Sequence, residues 1–241
     1  MNFFGHAVIA SWARPDPAFA LGAMLPDLGR MLGARHVSSE DPALGAGIAF
    51  HHESDRVFHQ SRVFAEFERA ALAYFRERRV PRGPRRALSH IGVELLLDCH
   101  LASKEQVASY LRALNAAGRT DVADRITWRS GSAAHGRDLQ SAQLDFQELC
   151  RRLASRVERL VPERPRDLTP RLEAILSGHP RLALPGDRGS EVHASVNDWL
   201  DMTWPVVEQR LPEWLAELAT GLHLKQAIQP ELGLPNSEQA A

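Results

Sequence analysis

Two cysteines, Cys99 and Cys150, are too few for a disulfide framework or a four-cysteine zinc site. Lysine is nearly absent: only Lys104 and Lys225 occur, so arginine supplies almost all of the 29 basic residues. Thirty acidic residues leave a net charge of −1, which argues against a broadly basic nucleic-acid binder, and no nucleic-acid partner is expected. No apolar run reaches the roughly 18 residues that a membrane span needs. The first residues, MNFFGHAVIASWARPD, lack a basic stretch and a long apolar stretch, so no secretory signal is read and a soluble, cytoplasmic protein is expected. Gly-rich phosphate loops, a Gly-x-Ser-x-Gly elbow and a Cys–His pair at nucleophile spacing are missing too, which disfavours nucleotide-cofactor and acyl-enzyme chemistry. Alternating apolar and polar runs are lacking and β-branched residues are sparse, so a sheet-based fold is not expected.

What remains is a helical pattern over 241 residues, 44% of them apolar. Helices are expected over about Phe3–Trp12, Pro17–Leu32 with a break or kink at Pro26, Pro42–His59, Val63–Arg78, Pro84–Leu101 and Lys104–Ala117. Asn2, Asp16 and Ser103 are the natural N-caps. Residues 119–137 read as loop with room for one short helix. A long helix over Asp138–Leu160, a short one over Leu168–Ser177, a loop to Gly189 and a final helical region over Ser190–Leu224, interrupted near Pro205 and Pro212, complete the pattern. The expected architecture is a single all-α domain over 1–228, with a polar tail over 229–241.

The eleven histidines are unevenly spread, and six of them lie between residues 6 and 90. On a helix at about 100° per residue, His51, Asp55 and His59 fall within an arc of about 80°, and His52 is close by. His90, Glu94 and Asp98 repeat the device at i, i+4, i+8, flanked by Ile91, Val93, Leu95, Leu96 and Leu97. Buried carboxylates and imidazoles need partners, because an isolated interior charge costs several kcal/mol, on the order of a whole domain's stability. Two such stripes satisfy each other most readily around a cation, as helical bundles do with carboxylate–histidine metal sites. His6 and Asp27 are further candidates from apolar surroundings, although His6 alone also fits a hydrogen-bonded core histidine and Asp27 a cap after Pro26. The metal candidates are therefore His6, Asp27, His51, His52, Asp55, His59, His90 and Asp98. Glu53 or Glu94 is the candidate general base, and Arg56, Arg85 or Arg86 could hold phosphate oxygens. The abundance of imidazole favours zinc or iron over magnesium.

Met-Asn-Phe-Phe-Gly-His at 1–6, the segment from Gly22 to Asp27, Gly47-Ile48 leading to His51 and Asp55, and Arg85-Arg86 leading to Glu94 and Asp98 resemble the acyl carrier protein phosphodiesterases. That family begins M-N-F-L-A-H and continues with G-N-L-L-x-D, G-I-x-x-H-R-x-I-D-x-x-x-D, and R-R before D-x-x-x-D-H-F-L. The likeness covers about the first 100 residues. It implies an all-α, HD-domain-like bundle and a metal-dependent phosphodiesterase that uses one or two divalent ions, manganese among them. It also implies acyl carrier protein or a small phosphodiester as partner. His6, Asp27, His51, Asp55, Glu94 and Asp98 match the family's polar positions. His52 stands for an Arg, His59 and Glu94 each for an Asp, and Asp98-Cys99-His100 for Asp-His-Phe. A metal-dependent phosphoric ester hydrolase is the expected function. The alternative is a non-catalytic metal-binding or structural helical protein with a buried polar network.

Overall fold

In the computed structural model, residues 1–118, 120–130, 139–185 and 190–224 are described. Helix α1 (Phe3–Ala13) is the central element, with every residue from Phe4 to Ala10 buried, so His6 lies deep in the domain. Asn2 caps it, its Oδ1 accepting from Phe4 N–H at 2.9 Å. Around it run α2 (Pro17–Met31), α3 (Pro42–Gln60), α4 (Arg62–Glu77), α5 (Arg82–His100) and α6 (Lys104–Ala117). Asp16, Asp41, Ser61 and Ser103 cap α2, α3, α4 and α6 through their side chains. The chain then adds α7 (Thr120–Ala123), α8 (Leu139–Ala154), α9 (Thr169–Ser177) and α10 (Glu191–Gly221). The mostly α, single-domain architecture agrees with the sequence pattern. The expected tail over 229–241 lies outside the described residues.

The structure departs from the sequence reading in four places. Strands β1 (Ala34–Ser39) and β2 (Ile126–Ser130) form an antiparallel pair, with Val37 opposite Trp128, where no sheet was expected. They are only six and five residues long, too short to show a clear period of two. Helix α2 runs unbroken through Pro26, and α10 runs unbroken through Pro205 and Pro212. In α10 both prolines are exposed and seven residues apart, so both rings share one solvent face and water can reach the carbonyls they leave unpaired. Helix α8 stops at Ala154, and a 3₁₀ turn follows over Val157–Leu160.

One helix crossing positions the site. Gly22 of α2 and Gly47 of α3 meet so closely that a Cβ on Gly47 would collide with Phe19 O and Ala23 N. Only glycine permits that backbone approach. It brings the α2 carbonyls within reach of His51 on α3.

Candidate metal centre

Four helices deliver the polar side chains: His6 from α1, Asp27 from α2, His51, Asp55 and His59 from α3, and His90 and Glu94 from α5. Six of them form two triads, His6–Asp27–His51 and His59–His90–Glu94, and Asp55 lies between. In each triad one donor atom per residue lies within 4.8 Å of the others, so either could hold a metal ion. Each two-stripe expectation is thus met in part, with α3 contributing to both triads.

The tautomer of each triad histidine follows from its partners. His51 Nδ1–H donates to Ala23 O at 2.8 Å, and His59 Nδ1–H donates to Asp55 O at 2.8 Å. A carbonyl only accepts, so both Nδ1 atoms carry the proton. His90 Nδ1–H donates to Glu68 Oε1 on α4, also at 2.8 Å. His6 Nδ1 lies 3.0 Å from Ser54 Oγ, whose own proton goes to His51 O. His6 Nδ1 is therefore the donor there. In the neutral rings all four Nε2 atoms are left as lone pairs, the form a metal ligand takes.

These lone pairs point at one another. His59 Nε2 is 3.3 Å from His90 Nε2 and 3.2 Å from Glu94 Oε1, with His90 Nε2 3.4 Å from the same oxygen. Two lone pairs and a carboxylate facing one space repel unless a proton or a metal cation stands between them. The Glu94 contact accordingly pushes the His59 pKa up. In the other triad His6 Nε2 and Asp27 Oδ2 are buried without a hydrogen-bond partner, 4.0 Å apart. The His6 and His51 rings lie 3.9 Å apart. Two orphaned buried polar atoms beside the His51 ring fit a bound cation.

Burial sets the charge states. It pushes His6 down to about 4 and His51 down to about 3, so both stay neutral at pH 7. Burial likewise raises the Asp27 carboxyl to about 7, against the pull of Arg30 at 3.3 Å. Burial pushes Asp55 up as well, but His6, the Met1 ammonium and His59 more than offset it and hold it well below the usual carboxylate range. Glu94 behaves in the same way, with His59 and the Met1 ammonium outweighing burial. Asp55 is the seam between the triads. Its Oδ1 is 3.7 Å from His6 Nε2, 3.5 Å from His59 Nδ1 and 3.7 Å from the Met1 nitrogen. That nitrogen also donates to Glu94 Oε1 at 2.9 Å.

Not every candidate joins. His52 and Glu53 are exposed on α3, and His52 meets the triads only through the edge of the His51 ring. A residue adjacent to a ligand on a helix points about 100° away from it. Asp98 is buried, its Oδ2 accepting from Asn2 N–H at 3.1 Å, and burial raises it to about 7. It holds the start of α1 and stands outside both triads. His100 packs on Trp204 at 4.3 Å between ring centres, and Cys99 is buried in the core. Arg56 lines an open cleft of about 620 Å³ between α3 and α10, where Arg62 pairs with Glu213 and Glu217. Sequence reasoning missed Glu68 and Ser54. Ser54 follows His51 by three residues, a spacing that signals a shared helix face, whereas Glu68 on α4 carries no spacing signal toward His90.

No protein-family model, curated protein or solved structure matches this chain.

Proposed function

We propose that this chain is a metal-dependent phosphoric ester hydrolase, similar in chemistry to the acyl carrier protein phosphodiesterases that its first 100 residues resemble. The observation that carries the reading is the pair of triads, His6–Asp27–His51 and His59–His90–Glu94, each with its ligand atoms within 4.8 Å of one another and with Asp55 between them. The donor set, imidazole-rich with three carboxylates, suits zinc or iron and tolerates manganese, as one or two ions. A divalent cation supplies Lewis acidity toward a phosphoryl oxygen and lowers the pKa of water. Asp55, held deprotonated between the triads, is one of these three carboxylates in this reading, and exposed Glu53 stays outside the set. Glu94 serves as a ligand. The scissile group is a phosphodiester, either on acyl carrier protein or on a small molecule, and the setting is cytoplasmic.

One observation favours a second reading. The Met1 ammonium already pairs with Glu94 and reaches Asp55, so part of the buried charge is neutralised without a metal. Under that reading the triads are a structural network. Metal analysis of protein purified without chelator, followed by turnover of bis-p-nitrophenyl phosphate, separates the two. Bound metal with turnover supports the hydrolase, bound metal alone supports a binding protein, and neither supports the network.

A further inference from the structure

The sequence from Arg76 to Arg86 holds six arginines and one acid, Glu77, in a chain whose net charge is −1. This run forms the end of α4, the connecting turn and the first turns of α5. Arg76, Arg79, Arg82 and Arg86 are exposed, and no ion pair is found for any of them among the described residues. Elsewhere Arg14, Arg30, Arg62, Arg125, Arg166 and Arg210 each pair with a carboxylate, while Arg35, Arg69, Arg112, Arg171 and Arg181 are also without an ion pair among the described residues, so what sets this run apart is its density. Arg79 even adopts a φ of 57°, a left-handed conformation where glycine or asparagine is the usual helix-ending residue. Like charges gathered without partners repel, so the cluster is costly in the free protein and is relieved by an anion.

The cluster is in register with the second triad. Arg82, Arg86, His90 and Glu94 are spaced i, i+4, i+8, i+12 along α5, each about 40° from the last. The His90–Glu68 bond fixes the antiparallel register of α4 against α5, which brings Arg76 to the level of Arg82. His90 is the most open ligand candidate, its side chain 42% exposed. Measured from His90, Arg86 is therefore about 6 Å along the helix axis and about 40° round it, and Arg82 about 12 Å along and about 80° round. A guanidinium is built to grip a second phosphate or carboxylate in two-pronged fashion.

We infer that the substrate is a phosphoric ester bearing a second anionic group one to two helical turns from the phosphate at the metal triad, with Arg82 and Arg86 as the residues that recognise it. This rests on the hydrolase reading for the first anchor and adds the class of substrate. The test uses ligands that cannot be hydrolysed: hexane-1,6-bisphosphonate against hexylphosphonate, bound to the zinc-loaded protein and followed by calorimetry. The bisphosphonate is expected to bind about tenfold tighter or more, and Arg82→Ala/Arg86→Ala to bring the ratio to within about threefold. Arg82→Lys/Arg86→Lys should restore part of it, since charge returns without the fork. A ratio near one in the unaltered protein, or a ratio that survives the alanine double variant, overturns the inference. Turnover of bis-p-nitrophenyl phosphate is scored separately. Its absence beside an intact ratio sinks the hydrolase reading alone, and its presence beside a flat ratio sinks the substrate assignment alone.

Discussion

Glu68 offers the sharpest test of the second triad, because its role depends on His90 alone. Its carboxylate accepts the hydrogen bond from His90 Nδ1–H at 2.8 Å and so keeps Nε2 aimed at His59 and Glu94. Removing such an outer partner of a metal-bound histidine costs roughly 10- to 100-fold in affinity. The Glu68 side chain is 38% exposed, so water replaces part of what it supplies, and the lower end applies. Glu68→Ala should therefore weaken zinc binding about tenfold, or about 1.4 kcal/mol. Glu68→Gln keeps an acceptor oxygen and loses the charge, which roughly halves the strength of the bond. It should cost about threefold. Competition against a zinc-sensitive chelating dye measures both. Glu66→Gln is the control, since Glu66 lies on the same helix but pairs with Arg210. Zinc affinity within twofold of the unaltered protein in Glu68→Ala, or an equal loss in Glu66→Gln, would refute the orientation argument.

Further outcomes follow from the same geometry. Asp55→Ala should lower metal affinity by more than about a hundredfold, beyond the effect of an outer partner, because Asp55 faces both triads, whereas His52→Ala and Glu53→Gln should leave metal content unchanged by elemental analysis. Gly47→Ala drives a methyl into the α2 backbone at Phe19 O and Ala23 N. Overpacking of this kind costs about 1–3 kcal/mol, so calorimetry should show Tm lower by roughly 2–12 °C, with metal affinity falling as His51 loses Ala23 O. Burial pushes the Cys99 and Cys150 thiols up to about 12, so at pH 8 a disulfide reagent should titrate neither in the folded protein and both after denaturation. Rapid labelling of either in the folded chain would contradict their burial.

The helical class and most helix starts were legible in the sequence, because caps and periodicity are local. Asn2, Asp16 and Ser103 cap the helices whose starts they marked, through bonds to N–H groups two or three residues on. The i, i+4 stripes on α3 and α5 were equally legible, since a helix fixes which side chains share a face. The prolines were less so. A proline forbids one backbone bond, but whether the helix ends there depends on what surrounds the freed carbonyl, and exposed Pro205 and Pro212 leave it to water. Pairing between distant segments was not legible at all. The β1–β2 ladder joins residues about 90 positions apart. The division of the stripes into two triads, the seam at Asp55, the bond from Glu68 to His90 and the exclusion of His52 and Asp98 all depend on how α1, α2, α4 and α5 pack on α3. Local spacing determines which residues share one helix face. Only the tertiary structure decides which faces meet, because that is set by close crossings such as Gly22 on Gly47, where the absence of two side chains matters more than the presence of any.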